Sequence, residues 1–295
     1  MISLKGLGKP QYLFRPSQIV KRLLQEVRSE WPGGQIELPW GLRIGLDPSD
    51  TVSEGIFRQG VYDVVTTELL WRLTLPGDCA ADIGANIGYM TSVLAVRAGR
   101  QGGVFSFEPH PRTYSFLKAN ADSWNASGKC ARVTAVQAAV SDKDGSAILE
   151  MPSEDDPNAS HARLGSPTGK GIEVPVTTFA SYFSSPREFG VVKVDAEGHE
   201  PAVFAGMSEY LGRVREIVFE EYAEYPAPSH QTLERAGYTV FAMEERLSGP
   251  QLRPATNGAR VKRAYDIVPS YVATLDATRL KRILGARKWQ SLTAS

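Results

Sequence analysis

Short apolar runs alternate with amphipathic segments through the middle of the chain. Residues 79–83 are mostly apolar, a glycine-containing turn follows, and residues 90–98 have helical spacing. The same patterns predict further strands at 104–107, 133–140, 191–194, 216–222, 238–243 and 265–275, and helices at 113–124, 202–211 and 231–236. This alternation predicts an α/β fold with a doubly wound sheet, whose ligands bind at the carboxyl ends of the strands.

The flanks of this core have patterns of their own. Apolar spacing predicts a helix at 16–31, and alternation over 35–47 predicts a hairpin. We therefore expect an N-terminal helix and hairpin at 1–50, acting as a flank, a lid or a homodimer contact. A cofactor-binding domain at 51–275 and a basic C-terminal helix at 276–295 follow. Residues 152–171, rich in proline, glycine and serine, are expected to form an insertion or loop.

Composition narrows the class of protein. The 295 residues carry zero net charge, which gives no electrostatic reason to expect a nucleic-acid partner. The two cysteines, Cys79 and Cys130, argue against a disulfide framework and favour a reducing, cytoplasmic compartment. Because no run of about 18 apolar residues occurs, no membrane span is expected.

The turn from Gly84 to Gly88 is the first candidate for chemistry. Glycine has no side chain to keep a ligand away, and the following helix offers free N–H groups at its N-terminus. Glu108 ends the next strand about 20 residues later, the separation at which a carboxylate can accept hydrogen bonds from ribose hydroxyls. Together these features predict a site for a nucleotide or nucleoside.

Four segments of the chain resemble the FkbM-type family of S-adenosylmethionine-dependent methyltransferases. They are Gly60-Val61-Tyr62-Asp63, Asp82-Ile83-Gly84-Ala85-Asn86-Ile87-Gly88, Phe107-Glu108-Pro109 and Val194-Asp195-Ala196-Glu197-Gly198-His199-Glu200. The resemblance implies a class I methyltransferase sheet of seven strands with the last strand antiparallel, and S-adenosylmethionine as cofactor.

The resemblance also implies roles for individual residues. The methionine part of the cofactor would be lined by Asp82, Gly84, Asn86 and Gly88, with Ala85 in the same turn. Glu108 would hold the ribose, and Asp142, in the turn after the third strand, would lie near the adenine. Tyr62 would close over the cofactor from the N-terminal side.

Candidates for the reaction itself follow strand 191–194. Methyl transfer to an aliphatic hydroxyl needs a group that removes its proton, or a metal ion. His199 is the first candidate for the base because its ordinary pKa lies near neutrality, and Asp195 is the second, as base or as ligand of a divalent metal. Glu197 belongs to the same cluster. The acids could instead cap the helix that follows them.

The leading hypothesis is therefore O-methylation of a hydroxyl on a small molecule, sugar or natural product. A nucleotide-dependent oxidoreductase is a second hypothesis, although Gly84 to Gly88 lacks the G-x-G-x-x-G spacing. A third is a binding protein that keeps the cofactor fold without catalysis. The sequence names neither the acceptor nor a metal.

Overall fold

A computed structural model describes residues 34–150, 163–165, 171–185, 187–256, 270–286 and 288–293, together with Pro10 and Phe14. The predicted helix at 16–31 lies outside the described residues, as does most of the predicted loop at 152–171.

The described residues form fourteen strands and eight α-helices. The strands are β1 (Gly34–Glu37), β2 (Arg43–Leu46), β3 (Cys79–Ile83), β4 (Gly103–Phe107), β5 (Arg132–Val136), β6 (Ala139–Ser141), β7 (Gly145–Glu150), β8 (Arg163–Leu164), β9 (Gly171–Thr178), β10 (Phe189–Val194), β11 (Val214–Glu220), β12 (Thr239–Glu244), β13 (Gln251–Pro254) and β14 (Ser270–Thr274). The helices are α1 (Thr51–Gln59), α2 (Val64–Leu73), α3 (Tyr89–Ala98), α4 (Pro111–Ser127), α5 (Phe179–Tyr182), α6 (Glu200–Gly206), α7 (Pro228–Arg235) and α8 (Ala277–Leu284), and a 3₁₀ turn spans Ser291–Thr293.

The central sheet has the strand order β13-β12-β14-β11-β10-β3-β4-β5. Its strands β5, β4, β3, β10 and β11 are mutually parallel, and β14 lies antiparallel between β11 and β12. The predicted α/β sheet with an antiparallel last strand is therefore confirmed. In the described part of the chain β13 adds an eighth strand at the edge, which the short sequence Gln-Leu-Arg-Pro did not signal.

A second sheet of four strands, in the order β6-β9-β7-β8, was not predicted. The single strand expected at 133–140 is wrong in its extent: β5 ends at Val136, and β6 begins at Ala139 in the second sheet. The apolar run continues across this junction, so hydrophobicity alone does not reveal that the chain changes sheets.

The hydrophobic core covers both faces of the central sheet. One face packs against the hairpin β1–β2 and helices α1 to α4, and Ile44 and Leu46 of the hairpin are almost completely buried. The Trp124 indole N–H of α4 donates to the Arg43 carbonyl at 2.6 Å. The other face carries aromatic side chains from α5, α6 and the strands. The hairpin is thus packed into the core.

A buried ion pair joins α2 to the C-terminal segment. Arg72 Nε lies 2.5 Å from Glu68 Oε1, and both side chains are at most 1% exposed. Glu68 also accepts the backbone N–H and the hydroxyl of Ser291, while Arg72 donates to the carbonyls of Ala286 and Lys288. The two charges therefore bind Ala286, Lys288 and Ser291 to α2.

Removing one partner of this pair should be far more costly than removing one partner of an exposed pair with the same spacing. Glu68→Ala leaves the Arg72 charge buried and should lower the free energy of unfolding by about 3–5 kcal/mol. Glu54→Ala removes the partner of Arg58 in α1, where both side chains are more than a third exposed, and should cost no more than about 1 kcal/mol. Urea unfolding of both variants checks this. Equal losses would contradict it.

Candidate active site

A cavity of about 580 Å³ opens where β3, β4, β10 and β11 end, at the carboxyl edge of the central sheet. Its lining also includes residues from the junction between α1 and α2, and from β6, β7 and β8 of the second sheet. Ligands are expected at this edge of a doubly wound sheet. The cavity therefore lies where the sequence places the site.

The turn after β3 forms one wall of the cavity. Gly84 has φ +73°, and a Cβ built on it would lie 1.8 Å from the Asp195 carbonyl oxygen, so only glycine lets the end of β10 approach this turn. Gly84, Ala85 and Asn86 line the cavity. Gly88 does not: a Cβ on it would meet the side chain of Leu117 on α4, which makes Gly88 a packing residue at the start of α3.

Lys193, in β10, contacts this turn, the strand β3 and the residue that follows β10. Its Nζ donates to the Gly84 carbonyl at 2.7 Å, and lies 3.2 Å from Asp82 Oδ1 and 3.3 Å from Asp195 Oδ2. Burial opposes the charge, but the two carboxylates outweigh it and raise the pKa of Lys193 above its ordinary value. Asp82 is itself completely buried and accepts from Thr91, so it lies behind the cavity wall.

Glu108 lines the cavity beside the same turn. Its Oε2 accepts the Asn86 N–H at 2.9 Å, and its Oε1 accepts the His110 N–H at 2.9 Å. Burial raises the pKa of Glu108 to about 7, against the opposing effect of these two hydrogen bonds and of Lys193. Glu108 is therefore fixed in orientation, and its remaining lone pairs are available to a ligand that donates hydrogen bonds.

Asp195 and Glu197 line the cavity after β10, and Tyr222 lines it after β11. The Tyr222 hydroxyl donates to Glu197 Oε2 at 2.5 Å, although the tyrosine side chain is 43% exposed. Tyr62 lines the cavity from the junction of α1 and α2, where its backbone N–H donates to the Tyr89 hydroxyl. The structure thus brings together carboxylates and two partly exposed aromatic rings.

Comparison with models of known families shows which family the chain belongs to. The model of the Methyltransferase FkbM domain matches residues 82–240, which is more than half of the 295 residues. The chain belongs to the FkbM methyltransferase family. The matched residues run from Asp82 to Val240 and so include most of the cavity lining described above.

The chain is also similar to individual proteins. Over 167 residues the chain is 32% identical to the hexuronic acid methyltransferase AglP of Haloferax volcanii, a match that covers 56% of this chain and 64% of AglP. A methyltransferase FkbM structure from Methylobacillus flagellatus aligns with a TM-score of 0.40 and 11% identity, over 70% of this chain and 50% of that one. A SAM-dependent O-methyltransferase from Thermotoga maritima aligns with a TM-score of 0.42 and 14% identity, over 85% of this chain and 80% of that one. Structural likeness at this level does not bear on ligand or activity.

His199 of this FkbM-family chain does not line the cavity, contrary to what its candidacy as base requires. The Ser141 hydroxyl donates its one hydrogen to Asp142 Oδ1 at 3.0 Å, so its oxygen accepts from His199 Nε2, 2.8 Å away. Burial lowers the pKa of His199, with Asp142 opposing. The Nε2 atom thus carries a proton that it donates to serine, and this arrangement points to positioning of the loop.

Asp142 likewise does not line the cavity, and its carboxylate accepts a hydrogen bond from the Ser141 hydroxyl at the end of β6. Ala138, Ala139 and Val140 line the cavity at this position instead. The expected adenine contact by Asp142 is therefore not supported, and an apolar wall takes its place.

The helix-capping alternative is met only in part, because Glu200 stands in the first turn of α6 but no side chain caps the helix at His199. Glu200 is buried, and its Oε1 accepts the N–H groups of Ala196 and Gly198, which orders the loop between β10 and α6. Asp195 and Glu197 face the cavity. Within the described residues, no group of three or more His, Cys, Asp and Glu side chains is placed to hold a metal ion. No helix in the described part of the chain is long and apolar enough to cross a membrane.

Three of the cavity residues that the sequence did not predict bear on its chemistry: Lys193, Tyr222 and Arg163. Lys193 carried a usable signal, because a lysine inside the apolar run Val-Val-Lys-Val needs a buried partner of opposite charge. Tyr222 ends the segment predicted as a strand but gave no sign of its contact with Glu197. Arg163 gave none at all, since the sheet that contains it was not predicted.

The raised pKa of Glu108 predicts a pH dependence of stability. Between its ordinary pKa of 4.5 and its folded value of about 7, the folded state retains a proton that the unfolded chain has lost, so stability falls as pH rises through this interval. The loss amounts to roughly 3 kcal/mol by pH 8. Glu108→Gln should remove this dependence in urea unfolding at pH 5 to 8.

Glu188→Gln is the control for this prediction, because Glu188 is 75% exposed and should leave the pH profile unchanged. If wild type and Glu108→Gln show the same slope of unfolding free energy against pH, Glu108 is not the buried acid described here.

Proposed function

We propose that this protein is an S-adenosylmethionine-dependent methyltransferase that transfers the methyl group to an oxygen atom of a sugar or related small molecule. The observation that carries the proposal is the shared cavity. Glu108 and the Gly84–Asn86 turn form one part of its wall, and Asp195 and Glu197 form another, in a chain of the FkbM methyltransferase family.

The chemistry of the lining residues fits the cofactor. Glu108 offers acceptor lone pairs for ribose hydroxyls, and the apolar stretch Ala138–Val140 suits the faces of an adenine ring. The carboxylates of Asp195 and Glu197 complement a sulfonium cation. When bound, S-adenosylmethionine supplies an electrophilic methyl group.

The chain's own residues would then position the acceptor and take its proton. Asp195 is held by Lys193 and lines the cavity, so we assign proton removal from the acceptor hydroxyl to its carboxylate. Glu197 and Tyr222, which are hydrogen-bonded to each other, would orient the acceptor. His199 would act indirectly by holding the loop through Ser141.

The acceptor is proposed to be a carbohydrate. AglP is named a hexuronic acid methyltransferase, and Tyr62 and Tyr222 offer aromatic surface against which the apolar face of a sugar ring can pack. The expectation that nucleic acid is not the partner stays a prediction. A cytoplasmic location and a homodimer remain predictions.

Family membership favours this function over a nucleotide-dependent oxidoreductase. Two measurements separate it from a non-catalytic binding protein: calorimetric titration with S-adenosylmethionine, and transfer of a labelled methyl group to a panel of sugars and sugar acids. Saturable binding with transfer supports the enzyme. Folded protein that shows no binding at millimolar cofactor would end the proposal, and binding without transfer to any acceptor would favour the binding protein.

The assignment of the base predicts a contrast between two variants. Asp195→Asn keeps a similar shape but cannot take a proton, so kcat should fall about 100-fold or more. His199→Asn should retain a larger share of kcat, because the residue donates to Ser141 outside the cavity. Initial rates at saturating cofactor check this.

Calorimetry with S-adenosylhomocysteine, which lacks the sulfonium charge that Asp195 would face, provides the control, since both variants should still bind it. A loss in His199→Asn as large as that in Asp195→Asn, together with loss of the acidic limb of the kcat profile, would return the role of base to His199.

A further inference from the structure

Three side chains of basic residues line the cavity, and two of them already have partners within the protein. Lys193 lies between the carboxylates of Asp82 and Asp195. The His110 ring accepts the Thr113 N–H at the start of α4, and burial lowers the pKa of His110, which favours its neutral form. The third is Arg163.

Arg163 is the first residue of β8 and pairs with Glu150 of β7, so the second sheet carries it to the cavity. Its guanidinium carbon lies 5.6 Å from the centre of the Tyr222 ring, within the range of a cation–π contact. Its positive charge reaches the cavity without a salt bridge to any carboxylate in the part of the chain that the structure describes.

The contact with Tyr222 is made to an aromatic ring and therefore does not occupy Arg163 with a carboxylate. The five N–H donors of arginine lie in the guanidinium plane, in a fork that matches a carboxylate or a phosphate. The rest of the lining would repel such a group, because its other charged residues are mainly acids: Asp63, Asp195, Glu197 and Glu220. An anionic group in this cavity is therefore directed to Arg163.

We propose that Arg163 binds an oxyanion of the methyl acceptor, so that the acceptor class is an acidic sugar. The inference rests on the proposed methyltransferase function and extends it to substrate choice. Tyr222 links the two parts of this subsite, since it contacts Arg163 through its ring and Glu197 through its hydroxyl. The oxyanion is the carboxylate of a sugar acid or the phosphate of a sugar phosphate, which share this recognition chemistry.

The test compares Arg163→Gln with a matched control, Arg187→Gln. Arg187 also lies over an aromatic ring, 5.0 Å from the centre of Phe105, but it does not line the cavity. Binding of glucuronate, glucose 6-phosphate and methyl glucoside is measured by saturation-transfer NMR in the presence of S-adenosylhomocysteine. Calorimetry with S-adenosylhomocysteine alone measures the cofactor site separately.

Wild type and Arg187→Gln should bind at least one charged sugar better than methyl glucoside, and Arg163→Gln should lose that preference by about tenfold. The difference in binding between glucuronate and glucose 6-phosphate decides which oxyanion is recognised. S-Adenosylhomocysteine should bind all three proteins equally.

Two results would overturn the inference while leaving the proposed function intact. One is wild-type protein that binds the cofactor product but does not prefer the charged sugars. The other is weaker binding of S-adenosylhomocysteine by Arg163→Gln alone, which would mean that Arg163 holds the cofactor's carboxylate. Failure of the proposed function itself has a different signature, because wild type would then not bind S-adenosylhomocysteine.

Discussion

The candidate site depends on one buried ammonium group. Lys193 reaches the carboxylates of Asp82 and Asp195 and the carbonyl of Gly84, which belong to β3, to the end of β10 and to the turn between β3 and α3. These contacts hold together the two neighbouring strands at which a doubly wound sheet binds its ligands. Because Lys193 and Asp82 are both buried, either charge would be costly without the other, so the two stabilise each other. The turn and the proposed base are thereby positioned together.

The central sheet and the second sheet contribute different parts of the cavity wall. The parallel strands supply the residues that are proposed to bind the cofactor, above all Glu108, which belongs to the part of the chain that matches the FkbM family. The second sheet supplies Leu149, Arg163 and Leu164, and with them a wall that the central sheet alone would not provide. The acceptor preference is therefore proposed to lie in this second sheet, next to Tyr222.

Local pattern was enough to predict the central sheet and the position of the site, because buried parallel strands are short apolar runs and their ends carry the polar groups. It was not enough for side-chain direction. His199 and Asp195 are only four residues apart, yet one donates to Ser141 and the other lines the cavity, since the loop passes through Glu197 at φ +53° before α6 begins. The second sheet escaped prediction because its pairing of β6 with β9 joins residues far apart in the chain.

The most direct test of the account is a crystal structure with S-adenosylhomocysteine bound. We expect the ribose hydroxyls to donate to Glu108 and the sulfur atom to face Asp195 and Glu197, with Arg163 free of the ligand. A ribose placed away from Glu108, or a sulfur atom that faces away from the end of β10, would contradict the assignment of this cavity as the site of methyl transfer.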